Sequence, residues 1–121
     1  MYKESTVIIK PVKNNISRII LNEPATYNSL SLKTIKILLR SFSKLNNDKK
    51  TKVIIIEGRG NGFSAGHNLK EVKSLKGKPE YKKLFTLCSQ LMISIKNNNK
   101  PVIAKVHGAA FAAGCQLVAT C

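Results

Sequence analysis

"HGAAFAAGCQLVATC", residues 107–121, follows directly on the apolar run "VIAKV" at 102–106. Its reading decides the fold. A strand that runs into Gly and Ala and then into the helical pattern "CQLVATC" is a strand–turn–helix unit of the α/β type. The same grammar occurs once before. "KVIIIEG" (52–58) reads as a buried strand, "RGNGFSAG" (59–66) as a Gly-rich loop and "HNLKEV" as one helical turn. Loops that leave strand ends in this way are where α/β proteins bind ligands.

Working back toward the N-terminus, "TVIIKPV" (6–12) and "ISRIIL" (16–21) are β-rich runs joined by "KNN", the pattern of a hairpin. Pro11 suits an edge strand or a bulge. "NEPATYNS" (22–29) is a loop, and Ser31 opens a helix with the apolar stripe Leu32, Ile35, Leu38, Leu39, Phe42 and Leu45. Pro79 precedes a second long helix. Its stripe of Tyr81, Leu84, Phe85, Cys88, Leu91, Met92 and Ile95 reads as core. The order β-β-α-β-loop-α-β-α predicts an α/β fold with apolar strands buried on both faces and a largely parallel second half.

Composition narrows the function classes. With 121 residues there is room for one domain at most, and 43% hydrophobic residues are enough for a core. No stretch approaches the roughly 20 apolar residues of a membrane span. Lys and Arg number 21 against 6 Asp and Glu, a net charge of +15 that attracts anions. The lysines are scattered and interleaved with Asn ("KLNNDKKTK", "KNNNK"), as on a solvated face. No aromatic-interleaved basic stripe, zinc-finger spacing or RNA-binding signature accompanies them, so nucleic acid is not an expected partner. Cys88, Cys115 and Cys121 sit in apolar helical contexts without metal-ligand spacing and read as small buried hydrophobes of a reducing compartment. Neither a secretory signal nor a transit peptide is evident, because Thr6–Val12 already reads as a strand.

The two Gly-rich loops are the places where chemistry fits. "SAG-H" sets the amide of His67 after a glycine, and "AAG-CQ" sets the amide of Ala113 in the first turn of a helix, where donors are unsatisfied and the dipole is positive. Two such donors converging on one carbonyl form an oxyanion hole; the alternative is that the small residues serve close packing alone. "GRGNG" lacks the Gly-Lys-Ser/Thr ending of a phosphate loop, and no dinucleotide fingerprint occurs. His107 at a strand end reads as a hydrogen-bonded turn histidine. Glu71 reads as a cap or a lysine partner more readily than as a pocket carboxylate. Cys115, at a helix start, reads as packing rather than as a nucleophile, and Ser64 and Ser89 lack partners for a triad.

"LNEPATYNSLS", "VIIIEGRGNGFSAGHNLKEV" and "KPVIAKVHGAAFAAGCQLVATC" resemble, in order and spacing, the N-terminal half of the crotonase (enoyl-CoA hydratase/isomerase) superfamily. The resemblance runs from about Val12 to Cys121. It implies a spiral of ββα turns, here as a partial crotonase-like domain over 1–121 with the C-terminal half absent. Such a truncation is expected to leave apolar surface exposed. It implies assembly of the intact parent into trimers or hexamers and an acyl-CoA or enoyl-CoA ligand, with coenzyme A arriving as part of the thioester and no separate cofactor. The thioester carbonyl falls to the amides of His67 and Ala113. Ser64, Ala65, Gly66, His67, Asn68, Leu69, Lys70 and Ala113 then form the binding strip, with Lys70 beside the coenzyme A phosphates and the polar side of "NSLS" near the nucleotide end.

Two departures from the family pattern matter. Gln116 occupies the position of a catalytic Glu, and an amide neither takes nor gives a proton near neutral pH. The second family Glu lies about twenty residues further on from that position, past Cys121. None of the six carboxylates, Glu4, Glu23, Asp48, Glu57, Glu71 and Glu80, falls in 101–121. The chain is therefore expected to be inactive as a hydratase. Asn68 stands where the family has Asp. The alternatives to a hydratase-like or isomerase-like protein are a non-catalytic acyl-CoA-binding or regulatory module of fatty acid metabolism and, more remotely, a basic nucleic-acid-binding protein. Location in the mitochondrion is implied by the resemblance alone, with the cytoplasm as alternative.

Overall fold

The structure is a computed structural model that describes residues 5–121. Four strands form one sheet in the order β1-β2-β3-β4: β1 Val7–Lys13, β2 Ile16–Leu21, β3 Val53–Gly58 and β4 Val102–Ala104. The hairpin is tight because Asn14 and Asn15 both take positive φ, 53° and 64°. Asn tolerates that region, and two such residues give the turn whose twist matches paired strands. The β1–β2 register slips between Lys10 and Lys13, around Pro11, on the edge strand where a missing donor costs least.

From β2 onward the pairing is parallel, and each crossover is helical. Helix α1 (Leu32–Asn47) carries the chain from β2 to β3. Ser31 caps it, its hydroxyl accepting from the Thr34 N–H at 3.2 Å. Between β3 and β4 lie α2 (Leu69–Ser74) and α3 (Lys78–Lys96), and α4 (Ala113–Thr120) follows β4. The core is a single layer of helices on one sheet face. Ile35, Leu38, Phe42 and Leu45 of α1 and Leu84, Leu91 and Ile95 of α3 are buried with Ile19, Leu21, Ile54 and Ile56 of the sheet. A buried hydroxyl pair, Ser17 with Thr51 at 2.7 Å, satisfies the polar atoms in that layer.

Several expectations need correction. The strands are not buried on both faces. On the second face Ile20 is buried, but Ile55 is half-buried and Ile103 is 51% exposed, beside Glu57, which pairs with Arg18 at 3.6 Å and Lys105 at 3.5 Å. Strand β4 ends at Ala104 rather than Val106. Among the described residues it has a neighbour on one side only, and the ladder stops after Lys105 N–H donates to Ile56 O at 2.8 Å. Phe85 is not core but 46% exposed, and Tyr81 is half-buried, because Leu84, Cys88, Leu91 and Ile95 take the row of α3 that faces the sheet. Of the three cysteines only Cys88 is buried, with its thiol pKa pushed up by that burial; Cys115 and Cys121 are exposed. A one-turn 3-10 segment at Pro24–Thr26 breaks the loop read at 22–29.

Candidate functional site

The two Gly-rich loops leave the same ends of adjacent parallel strands, β3 and β4, and are laced together. Phe63 N–H donates to Ala109 O at 2.9 Å, and Phe111 N–H to Ser64 O at 3.0 Å. His107 Nε2 lies 2.6 Å from Gly60 O, the turn role read for that histidine. Small residues are required by the closeness of this approach. A Cβ on Gly114 would stand 2.3 Å from Ser64 O, so the start of α4 can meet the loop only without a side chain there. At Gly66, where φ is +87°, a Cβ would stand 3.1 Å from the Ala113 nitrogen and 3.0 Å from Phe111 O. The residue before His67 therefore lies against the amide of Ala113.

The direction of each amide follows from its neighbours. Gly66 O accepts from Leu30 N–H at 2.7 Å. No described peptide is cis, and a trans peptide points its N–H opposite to its C=O, so this bond turns the His67 N–H away from the 22–31 loop. Ala113 is the first residue of α4, and Ala112 before it holds φ 50° and ψ −120°, a region costly to any residue with a Cβ. Strain of that kind, on the order of 1–3 kcal/mol, persists where surrounding structure over-determines it. Among the described residues neither the His67 N–H nor the Ala113 N–H meets an acceptor. Two unsatisfied donors stand on adjoining loops.

The 22–31 loop supports this arrangement from behind, a role that the sequence did not reveal. Asn28, 2% exposed and at φ 53°, directs Nδ2 at the carbonyls of Arg59 (2.9 Å), Gly62 (3.2 Å) and Phe63 (3.1 Å), while its Oδ1 accepts from Glu23 N–H at 2.8 Å. Ser64 is also buried: its hydroxyl donates to Asn28 O at 2.8 Å and accepts from Gly66 N–H at 3.2 Å. Ala65 N–H donates to Tyr27 O at 2.9 Å. The polar groups of "NSLS" are thus turned inward, with Asn28 and Ser29 buried and Ser31 spent on the α1 cap.

Beyond His67, Asn68 caps α2, its Oδ1 accepting from the N–H groups of Lys70 (3.0 Å) and Glu71 (3.3 Å). An amide oxygen serves that purpose as a carboxylate does. Leu69 and Lys70 are exposed, and Ala65 is half-buried. Glu71 caps α1, accepting from Leu32 N–H at 2.9 Å. Gln116, in the first turn of α4, is exposed. Carboxylates are engaged elsewhere: Glu57 in its two ion pairs, Glu80 with Lys76 N–H at 2.6 Å and Asp48 with Thr51. Cavity size does not mark the site. A cleft of about 730 Å³ opens along β1 and β2, beside Lys10, Arg18 and Glu57. It is an open groove on the sheet face, and the candidate site rests on donor geometry instead. No group of His, Cys, Asp and Glu among the described residues is placed to hold a metal ion.

The enoyl-CoA hydratase/isomerase family model matches residues 11–121. The chain belongs to that family. Its curated relatives include enoyl-CoA hydratase domain-containing protein 3, mitochondrial, from Xenopus laevis, 46% identical over 109 residues that make up 90% of this chain and 37% of the relative. The human protein of the same name is 43% identical, over 89% of this chain and 36% of its own length. The chain thus spans little more than a third of these relatives. Among solved structures, an enoyl-CoA hydratase from Mycobacterium smegmatis superposes with a TM-score of 0.94 at 36% identity, covering 98% of this chain and 46% of that one. Human enoyl coenzyme A hydratase domain-containing protein 3 gives 0.91 at 39%, covering 97% and 46%. The α/β sheet with its helical layer is the crotonase fold over the part this chain covers. No helix of the described residues is long and apolar enough to cross a membrane.

Proposed function

We propose that this chain binds an acyl-CoA thioester, with the carbonyl oxygen received by the main-chain N–H groups of His67 and Ala113. One observation carries the reading. Gly66 brings its loop against the Ala113 nitrogen, and both N–H groups lack an acceptor among the described residues. Fixed donors of this kind stabilise charge as it develops on a thioester oxygen by about 3–4 kcal/mol each, because they need no reorganisation at the moment of reaction. The net charge of +15 favours a phosphate-bearing ligand over a neutral one. The strip from Ser64 to Lys70 follows the acyl-CoA path that family membership suggests, with side chains at Leu69 and Lys70 free to meet a ligand.

Polarisation of the carbonyl is one half of hydratase chemistry; proton transfer is the other. Gln116 occupies the site where an acid or base would act, and its amide cannot exchange a proton near neutrality. Thioester binding without hydration is the behaviour expected of this chain. Mitochondrial location accords with the names of its relatives; a role in fatty acid metabolism and assembly of the intact protein into trimers or hexamers belong to the same proposal.

The test replaces the peptide N–H of Ala113 by an ester oxygen in the 121-residue chain, assembled by ligation at Cys88. Butyryl-CoA should bind the natural chain more tightly than free coenzyme A, and the ester analogue should lose that preference. Equal affinity of both chains for butyryl-CoA would overturn the reading. Hydration of crotonyl-CoA by the natural chain would overturn its second part.

A further inference from the structure

The imidazole of His67 has no part in the reading above, which uses only its main chain. Its ring reaches across to α3 and meets Phe85 edge-on, with ring centroids 5.3 Å apart and planes at 81°. Its Nδ1 is buried and has no hydrogen-bond partner among the described residues. A buried ring nitrogen is ordinarily held by a hydrogen bond. Here the ring is held by its edge-on contact with Phe85 while Nδ1 stays unpartnered among the described residues. Phe85, for its part, is 46% exposed in spite of its apolar stripe, and it serves the loop rather than the core.

This contact acts on a particular peptide plane. The N–H of His67 belongs to the plane that contains Gly66 C=O, and Leu30 N–H holds that plane at its oxygen. That bond fixes the direction of the N–H but leaves the plane free to swing about the bond axis and carry the nitrogen sideways, and the glycine before the plane adds backbone freedom of its own. The His67 side chain is the second point of attachment. We propose that Phe85 is a positioning residue. By gripping the His67 ring it stops the 66–67 peptide from swinging about that bond, and so keeps the His67 nitrogen in place beside that of Ala113. The inference rests on the reading that the His67 N–H receives a thioester oxygen.

The experiment compares the natural chain with Phe85→Ala, Phe85→Leu and Phe85→Tyr. Butyryl-CoA labelled with 13C at the carbonyl is bound to each, and its C=O stretch is read by infrared difference spectroscopy beside its Kd and that of free coenzyme A. The natural chain should lower the stretch. Phe85→Ala and Phe85→Leu should weaken thioester binding about five- to tenfold and give back most of the lowering, with free coenzyme A unaffected. Phe85→Tyr should match the natural chain. An unchanged stretch and Kd in Phe85→Ala would overturn the inference. If the natural chain itself leaves the stretch unmoved, the thioester reading fails instead, and the anchoring is judged without ligand. In that arm the 15N order parameter of the His67 amide should be lower in Phe85→Ala and Phe85→Leu than in the natural chain. Equal order parameters would overturn the anchoring role.

Discussion

The carboxylate of Glu71 accepts the main-chain N–H of Leu32 at 2.9 Å, across 39 positions of sequence. A residue of short helix α2 thereby helps close the N-terminus of long helix α1, where the Thr34 N–H goes to the Ser31 hydroxyl. The loop that carries His67 leads straight into α2, so this bond ties the candidate site to the helix layer. Glu71→Gln should cost little at the cap and lose the charge–dipole part; Glu71→Ala should cost about 1–2 kcal/mol. Thermal unfolding of the two variants checks the order.

Gly114→Ala should be severely damaging for a single added methyl. Its Cβ would stand 2.3 Å from Ser64 O, a backbone atom that cannot step aside without breaking the lacing of the two loops. A loss of about 2–4 kcal/mol is expected, on the scale of overpacking plus a broken hydrogen bond. Gly66→Ala meets contacts of 3.0–3.3 Å and a disfavoured φ, and should cost about 1–2 kcal/mol in stability while removing thioester preference. Denaturant titration and butyryl-CoA binding separate the two.

Asn28→Ala should strand the carbonyls of Gly62 and Phe63, both bonded to Nδ2 in buried surroundings. Buried acceptors left unpaired cost about 1–3 kcal/mol together with the lost bonds, so unfolding should come earlier by that amount. Asn28→Asp should not rescue it, because a carboxylate offers no donor to those carbonyls. Either variant with natural stability would refute the bracing role.

Legibility followed locality. Helix α1 was readable because its stripe and its Ser31 cap lie within a single helical segment, and the Asn-Asn turn because two residues set it. Asn28 was not readable, since its work is done on carbonyls as far as 35 positions away. Phe85 satisfied the helical period and was still misassigned: periodicity tells which residues share a face, not what covers each end of that face. Strand β4 was drawn too long for a related reason. Apolar residues at 102–106 allow a strand, but hydrogen-bonding neighbours decide where it stops, and Gly108 at φ 63° lies just beyond. At the proposed site, the glycine spacing singles out the amides of His67 and Ala113, whereas their orientation depends on Leu30 and on the strained Ala112.

Gln116→Glu tests the missing proton carrier directly. With the carbonyl polarised, one carboxylate suffices to remove an α-proton from a saturated acyl group. Butyryl-CoA incubated in D2O should then take up deuterium at Cα at least about 10²-fold faster than with the natural chain. Mass spectrometry reads the uptake. Exchange at the natural chain's rate would show that position 116 does not face the α-carbon.

Acid should weaken the chain partly through Asp48. The Thr51 hydroxyl, followed by the Lys50 N–H, bonds its carboxylate and holds the pKa below the ordinary 3.8. A carboxyl lowered in the folded state contributes stability that is whole above 3.8 and is lost as the pH falls toward the lower folded value. Asp48→Asn should flatten that limb of the stability–pH curve below about pH 4 and leave the neutral region's slope unchanged. Chemical denaturation at a series of pH values measures it.

The laced loops spring from neighbouring parallel strands, whose axes in any sheet run about 4.8 Å apart. That repeat acts as a ruler: it sets how far apart the two loops begin, and the side chains of Asn28 and Ser64 fix the course of the first loop from there. One residue inserted between Gly58 and His67, or between Ala104 and Ala113, would slide one jaw past the other and close the mouth to a carbonyl.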